Sequence, residues 1–204
     1  MRPRSLVLPA FILLSSIIGG APRSLAATDD PASFVSDLAS RALAAMPNED
    51  TAAARQEQFR QLFRHYFDVE ACARSALGPH WLNATALQRQ EFAERYEDYI
   101  VVGYSAALGA LGNASFEVMG SQPDKEGVIV TSRISLIGVA PIRVDWQLNL
   151  TDHGYKVTDV IVDGISRATT QHADLVSVIQ RKGGRMPPLL VALREKNASN
   201  GIVR

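Results

Sequence analysis

Near residue 115 the spacing of apolar side chains changes from a helical period to the alternation of a strand. A chain that carries both patterns in separate blocks must stack helices on a sheet. Before the change, Phe34, Leu38, Ala42 and Met46 recur at helical spacing after Asp30-Pro31, and Pro47-Asn48 ends the run. Phe59, Leu62, Phe63 and Tyr66 mark a second helix over residues 51–65, and residues 67–77 form a third that stops at Gly78-Pro79. The longest helix is predicted over residues 85–111, about 40 Å at 1.5 Å per residue, with Thr85 as its N-cap. Phe92, Tyr96, Tyr99, Ile100, Gly103 and Ala107 lie along one stripe of it, with Glu91, Arg95 and Asp98 facing elsewhere.

After the change, strands are predicted over residues 115–119, 128–137, 142–150 and 155–162. Short turn-rich links join them, which dictates an antiparallel meander. The third strand alternates Ile142, Val144, Trp146, Leu148 and Leu150 against Arg143, Asp145, Gln147 and Asn149, giving one dry face and one wet face. In the second strand, Val128, Val130, Ile134 and Leu136 oppose Thr131, Arg133 and Ser135. Helices over 168–181 and 187–196, separated by Gly183-Gly184, close the chain. The expected class is therefore α+β, with a four-stranded antiparallel sheet packed against a helical layer.

Residues 1–26 read as a secretory signal. Arg2 and Arg4 precede an uncharged apolar stretch of 15 residues from Leu6 to Gly20, and Ser24-Leu25-Ala26 offers a cleavage site. That stretch falls short of the roughly 20 residues needed to cross a bilayer. Cleavage after Ala26 leaves 178 residues with 18 basic and 21 acidic side chains, a net charge of −3. A chain of this size builds one core, so residues 27–197 are expected as one domain and 198–204 as a flexible tail. Near-neutral charge without a basic face argues against a nucleic-acid partner. Cys72 is the single cysteine, so no intramolecular disulfide can form.

His65, His80, His153 and His172 are dispersed and lack metal-type spacing, so neither a metal nor a cofactor is expected. Asp145, Asp159 and Asp163 with Tyr155 are the polar constellation to weigh as proton-transfer groups of an isomerase-like pocket enzyme. Alternation puts Asp145 on the wet face, and Asp163-Gly164 is a turn former. Asp159 is expected to be half-buried and paired with an arginine. No catalytic residue is assigned. The apolar stripe of the long helix and the dry strand faces can form either a filled core or a ligand cavity, and their pattern is the same in both cases.

Residues 157–166, V-T-D-V-I-V-D-G-I-S, resemble the strand and exit turn of the MlaC family, also called toluene-tolerance auxiliary proteins. Residues 178–193, V-I-Q-R-K-G-G-R-M-P-P-L-L-V-A-L, are similar to the family's closing helix pair. Phe67-Asp68, the segment 77–81 (L-G-P-H-W), Gln88-Arg89 and Phe92 follow its helical half in order. Pro187-Pro188 and the polar segment 48–58 depart from the pattern and leave the subfamily open. The resemblance implies a curved sheet like that of nuclear transport factor 2, enclosing the acyl chains of a phospholipid against a helical layer. It further implies a monomeric periplasmic carrier that shuttles lipid between the outer and inner membranes. The implied partners are an inner-membrane ABC lipid transporter complex and an outer-membrane lipoprotein complex, and the implied role is upkeep of outer-membrane lipid asymmetry. A sub-branch, the HpnM-like proteins, is associated with hopanoid lipids. On this reading Val130, Ile134, Val144, Trp146, Leu148 and Val157 line the sheet side of a lipid cavity, and Phe92, Tyr96, Tyr99 and Ile100 line the helix side.

Overall fold

The computed structural model describes residues 30–45, 51–109, 111, 113–181, 183 and 185–199. The expected signal segment and residues 200–204 of the expected tail lie outside them.

The N-terminal helices start where side-chain caps answer the free backbone N–H groups of the first turn. Asp30 accepts from the Ser33 amide at 3.0 Å ahead of α1 (Pro31–Ala45). Thr51 caps α2 (Ala52–Tyr66), and Asp68 caps α3 (Val69–Leu77). Phe67 was expected inside that third helix. It is instead extended and forms a parallel bridge with Val157, which ties the α2–α3 link to the sheet. Gly78 ends α3 at φ 58°, and a Cβ there would meet the His172 ring at 2.5 Å. A short α4 (His80–Asn83) follows, then the long α5 (Ala86–Gly109). The start of α5 is a reciprocal capping box. Gln88 N–H donates to Thr85 Oγ1 at 3.2 Å, and Thr85 N–H donates to Gln88 Oε1 at 3.0 Å.

The sheet has five strands rather than the expected four, in the order β1-β2-β3-β4-β5, all neighbours antiparallel. They are β1 (Ser115–Asp124), β2 (Gly127–Ser135), β3 (Ile142–Thr151), β4 (Gly154–Val162) and β5 (Ile165–Ser166). The extra strand arises because Asp163 and Gly164 both take positive φ, 49° and 81°, and fold Ile165–Ser166 back onto Ile161–Val162. β1 also runs five residues further than its apolar pattern predicts. Its polar second half, which includes Pro123, pairs with residues 127–131 after a bulge at Met119, as an edge strand can. Helices α6 (Arg167–Arg181) and α7 (Met186–Ser199) complete the chain. α7 continues past the expected end at 196 because Asn197 is buried and donates its side-chain amide to the Arg95 carbonyl at 3.0 Å.

α1 packs on β1 and β2, whereas α2, α3 and α6 pack on β4; α5 packs on α2, α3 and α7. Two apolar clusters result. One joins the helices through Phe92, Leu77, Ile179 and Leu189, all fully buried. The other joins α1 and α2 to the sheet through Val35, Leu38, Tyr66, Val130, Leu148 and Val157.

Three expectations of exposure are corrected. Asp98 was expected to face away from the α5 stripe and is 1 % exposed, because Arg60 of α2 reaches it. Gln147, expected on the wet face, is buried, with its amide donating to Asp124 Oδ2 of the lengthened β1 at 3.3 Å. Leu150, expected on the dry face, is 58 % exposed at the end of β3 beside the β3–β4 turn.

Candidate functional site

One face of the sheet carries a single apolar row but meets two different environments. Val130, Leu148 and Val157 pack with Val35 and Leu38 of α1 and Tyr66 of α2 as solid core. Toward the β2–β3 turn the same face lines a cavity of about 380 Å³, within the roughly 300–1,000 Å³ usual for ligand pockets. Ile134, Ile142, Val144, Trp146, Val160 and Val162 form its sheet wall. The C-terminal half of α5 supplies Tyr96, Ile100, Tyr104 and Ala107, with Leu111 just beyond it. Phe59, Phe63, Phe67 and Cys72 form the wall from α2, α3 and their link.

The cavity opens at one end. Tyr96 and Ile100 are buried, Tyr104 is half-buried and Ala107 is exposed, so cover thins along α5. The strand register gathers the β2–β3 turn, the β4–β5 turn and the start of β1 at this same end.

The few polar groups in the wall are mostly occupied with one another. The Trp146 indole N–H donates to Ser132 Oγ at 2.9 Å, and the Ser132 hydroxyl donates onward to the Val144 carbonyl at 3.0 Å. Both donors are thus satisfied against the sheet, so the indole presents an apolar surface. The Tyr96 hydroxyl donates to Gln171 Oε1 at 2.5 Å, and the Gln171 amide donates to the Tyr104 hydroxyl at 3.3 Å. Burial pushes the Tyr96 phenol well above its ordinary value, which keeps it a neutral donor. Burial likewise pushes the Cys72 thiol up to about 12, with Asp68 and Asp159 adding to the shift. A protonated thiol is a poor nucleophile, and its Sγ faces the Thr158 carbonyl at 3.4 Å.

Asp159 is the one carboxylate in the wall. An arginine partner was expected. It accepts instead from the Ser166 hydroxyl at 2.5 Å and from the Ala168 and Val160 amides at 3.0 and 2.8 Å, which caps the start of α6. Asp145 lies elsewhere, accepting from Thr131 Oγ1 at 2.7 Å and pairing with Arg143 at 3.0 Å. Asp163 is in the β4–β5 turn, and Tyr155 packs near Phe34. The four groups weighed for proton transfer do not converge. Among the described residues no cluster of histidine, cysteine or carboxylate side chains could hold a metal ion, and no helix is long and apolar enough to cross a membrane.

Of the ten residues expected to line a lipid cavity, the structure gathers Tyr96, Ile100, Ile134, Val144 and Trp146 around the apolar hollow described above. Phe92 lies in the helical core, Tyr99 packs against that core with Lys196 over its ring at 4.6 Å, and Val130, Leu148 and Val157 lie in the core that joins α1 and α2 to the sheet. Sequence reasoning missed Val160 and Val162 because a bulge at Thr158 breaks the alternation of β4. The bulge pairs Val160 with Trp146 and Val162 with Val144. It also missed the contributions of α2, α3 and α6, whose helical pattern marks an apolar face but not what that face meets.

Fold and cavity together define an α+β protein whose helical layer and antiparallel sheet enclose an apolar cavity. The family model described as MlaC protein matches residues 35–195, and the chain belongs to that family. Its fold is shared by the phospholipid-binding protein from Ralstonia solanacearum, whose structure was solved in complex with a phospholipid. That match has a TM-score of 0.75 at 21 % identity and covers 85 % of this chain and 99 % of the other.

Proposed function

We propose that the protein is a periplasmic lipid carrier that takes the acyl chains of a phospholipid into the cavity between α5 and the sheet. The observation that carries this reading is the cavity itself, an open-ended hollow of about 380 Å³ whose wall is apolar except for a few side chains. Membership of the MlaC family and the phospholipid held by the Ralstonia protein support the same ligand class. The bulges at Met119 and Thr158 support a sheet curved in the manner of nuclear transport factor 2, since bulges bend and twist the strands that carry them.

Each methylene removed from water gains about 0.8 kcal/mol, and a bilayer offers the same group nearly the same gain. Transfer between membrane and cavity is then close to balanced, and the carrier acts by removing the barrier of crossing water. It needs no covalent step. A passive carrier supplies no direction, so direction comes from its partners: an inner-membrane ABC lipid transporter complex and an outer-membrane lipoprotein complex. On this reading the protein shuttles lipid between the two membranes as a monomer, after removal of residues 1–26.

The test is native mass spectrometry of the purified mature protein, followed by lipid extraction. A lipid-bound mass is expected, and the extract distinguishes a phospholipid from a hopanoid-type lipid. A clean lipid-free mass with nothing extractable would overturn the proposal.

A further inference from the structure

Arg167, the first residue of α6, is the only cationic side chain in the cavity wall among the described residues. Its Nε is buried and has no hydrogen-bond partner, and its guanidinium forms no ion pair. An arginine half-buried against apolar surface without an anion is an unfavourable arrangement that a ligand can relieve. The wall's one carboxylate does not relieve it. Asp159 directs both oxygens to Ser166, Val160 and Ala168.

From this we infer that Arg167 is an anion seat at the rim of the cavity and receives the phosphate of the bound lipid. The inference rests on the lipid-carrier reading and adds to it a residue that selects the lipid class. The place is suitable. α6 begins directly after the two-residue β5, beside the β4–β5 turn at the end where the cavity meets solvent. A phosphate there keeps part of its hydration while the acyl chains lie along Trp146, Val160 and Ile100. The guanidinium fork matches two phosphate oxygens at once, and charged hydrogen bonds of this kind are roughly twice as strong as neutral ones.

The mature protein and its R167Q and R167K variants are loaded from vesicles containing equal amounts of phosphatidylglycerol and diacylglycerol with identical acyl chains. Native mass spectrometry then reads which lipid occupies each protein. The wild type is expected to favour phosphatidylglycerol by about tenfold, equivalent to about 1.4 kcal/mol. R167Q is expected to bring the two lipids within about twofold of each other by lowering phosphatidylglycerol occupancy relative to diacylglycerol, since glutamine is polar but removes the charge. R167K, which keeps a charge but not the fork, is expected to lie between them. An unchanged preference in R167Q overturns the anion seat and leaves the carrier reading standing. Absence of both lipids from all three proteins overturns the carrier reading itself. In a separate arm, millimolar inorganic phosphate is titrated into each lipid-free protein. Binding that depends on Arg167 without any lipid preference would assign the seat to free phosphate and overturn the lipid assignment.

Discussion

The Arg60 guanidinium of α2 lies 2.8 Å from the Asp98 carboxylate of α5, and both side chains are buried. Glu97 joins the pair at 2.5 Å, and Arg64 reaches Glu97 at 3.0 Å from a half-exposed position. Two carboxylates are thereby matched by two guanidinium groups across the seam that holds the long helix. Removing one member of a buried pair strands the other. Arg60→Leu is expected to cost about 3–5 kcal/mol, whereas Arg64→Ala, at the solvent edge, is expected to cost about 1 kcal/mol or less. Urea unfolding of the two variants checks the contrast.

Tyr96→Phe removes the hydroxyl that donates to Gln171 and leaves a buried carbonyl oxygen unpaired. A loss of about 1–3 kcal/mol is expected, with the fold retained. Tyr104→Phe should cost less, because its bond to Gln171 is longer and Tyr104 is half-buried. Thermal unfolding followed by circular dichroism separates the two.

Ala107 is exposed and yet belongs to the cavity wall. Ala107→Trp should therefore narrow the opening without overpacking the core, lowering lipid occupancy severalfold at a cost below about 1 kcal/mol. Leu87→Trp, on the same helix at a site 74 % exposed and outside the wall, should leave occupancy unchanged. Lipid extracted per mole of protein is the readout.

Stability should fall on the alkaline side. Burial holds Cys72 and Tyr66 up to about 12, while their unfolded counterparts ionise near the ordinary 9.0 and 10.0. The unfolded chain thus loses protons first, and the stability these groups contribute is complete below about pH 9 and lost as pH rises toward 12. Cys72→Ala should be less stable than wild type at pH 8, and that gap should narrow or reverse by pH 11. Asp37 acts with the opposite sign. The Tyr66 hydroxyl and Arg41 hold its carboxyl below 3.8, so its contribution is present above that value and is lost as pH falls through the lower folded value. Asp37 is half-exposed, which limits the effect to about 1 kcal/mol or less. Urea midpoints of wild type, Cys72→Ala and Asp37→Asn across pH test both arms.

Local chemistry was legible from the residues alone. Thr85 as the cap of α5, Gly78 after α3 and the Asp163-Gly164 turn act over three or four residues and behave as their types predict. The buried ion pair was not legible. Helical spacing assigns Asp98 to a polar face, and only the approach of a second helix brings Arg60 to it. Arg167 gave no signal either, because an arginine at a helix start is ordinary until the wall around it is known.

By itself the sequence determined that one sheet face is apolar and that helices cover it, since side-chain period follows directly from backbone geometry. Whether that face is filled or hollow was decided only in three dimensions. Val130, Leu148 and Val157 share their face with Val144, Trp146 and Val160, yet the first three join the core with α1 and α2 and the others line the cavity before α5. Alternation reports which way a side chain points. What stands opposite depends on where distant helices come to rest, and no spacing along one strand records that.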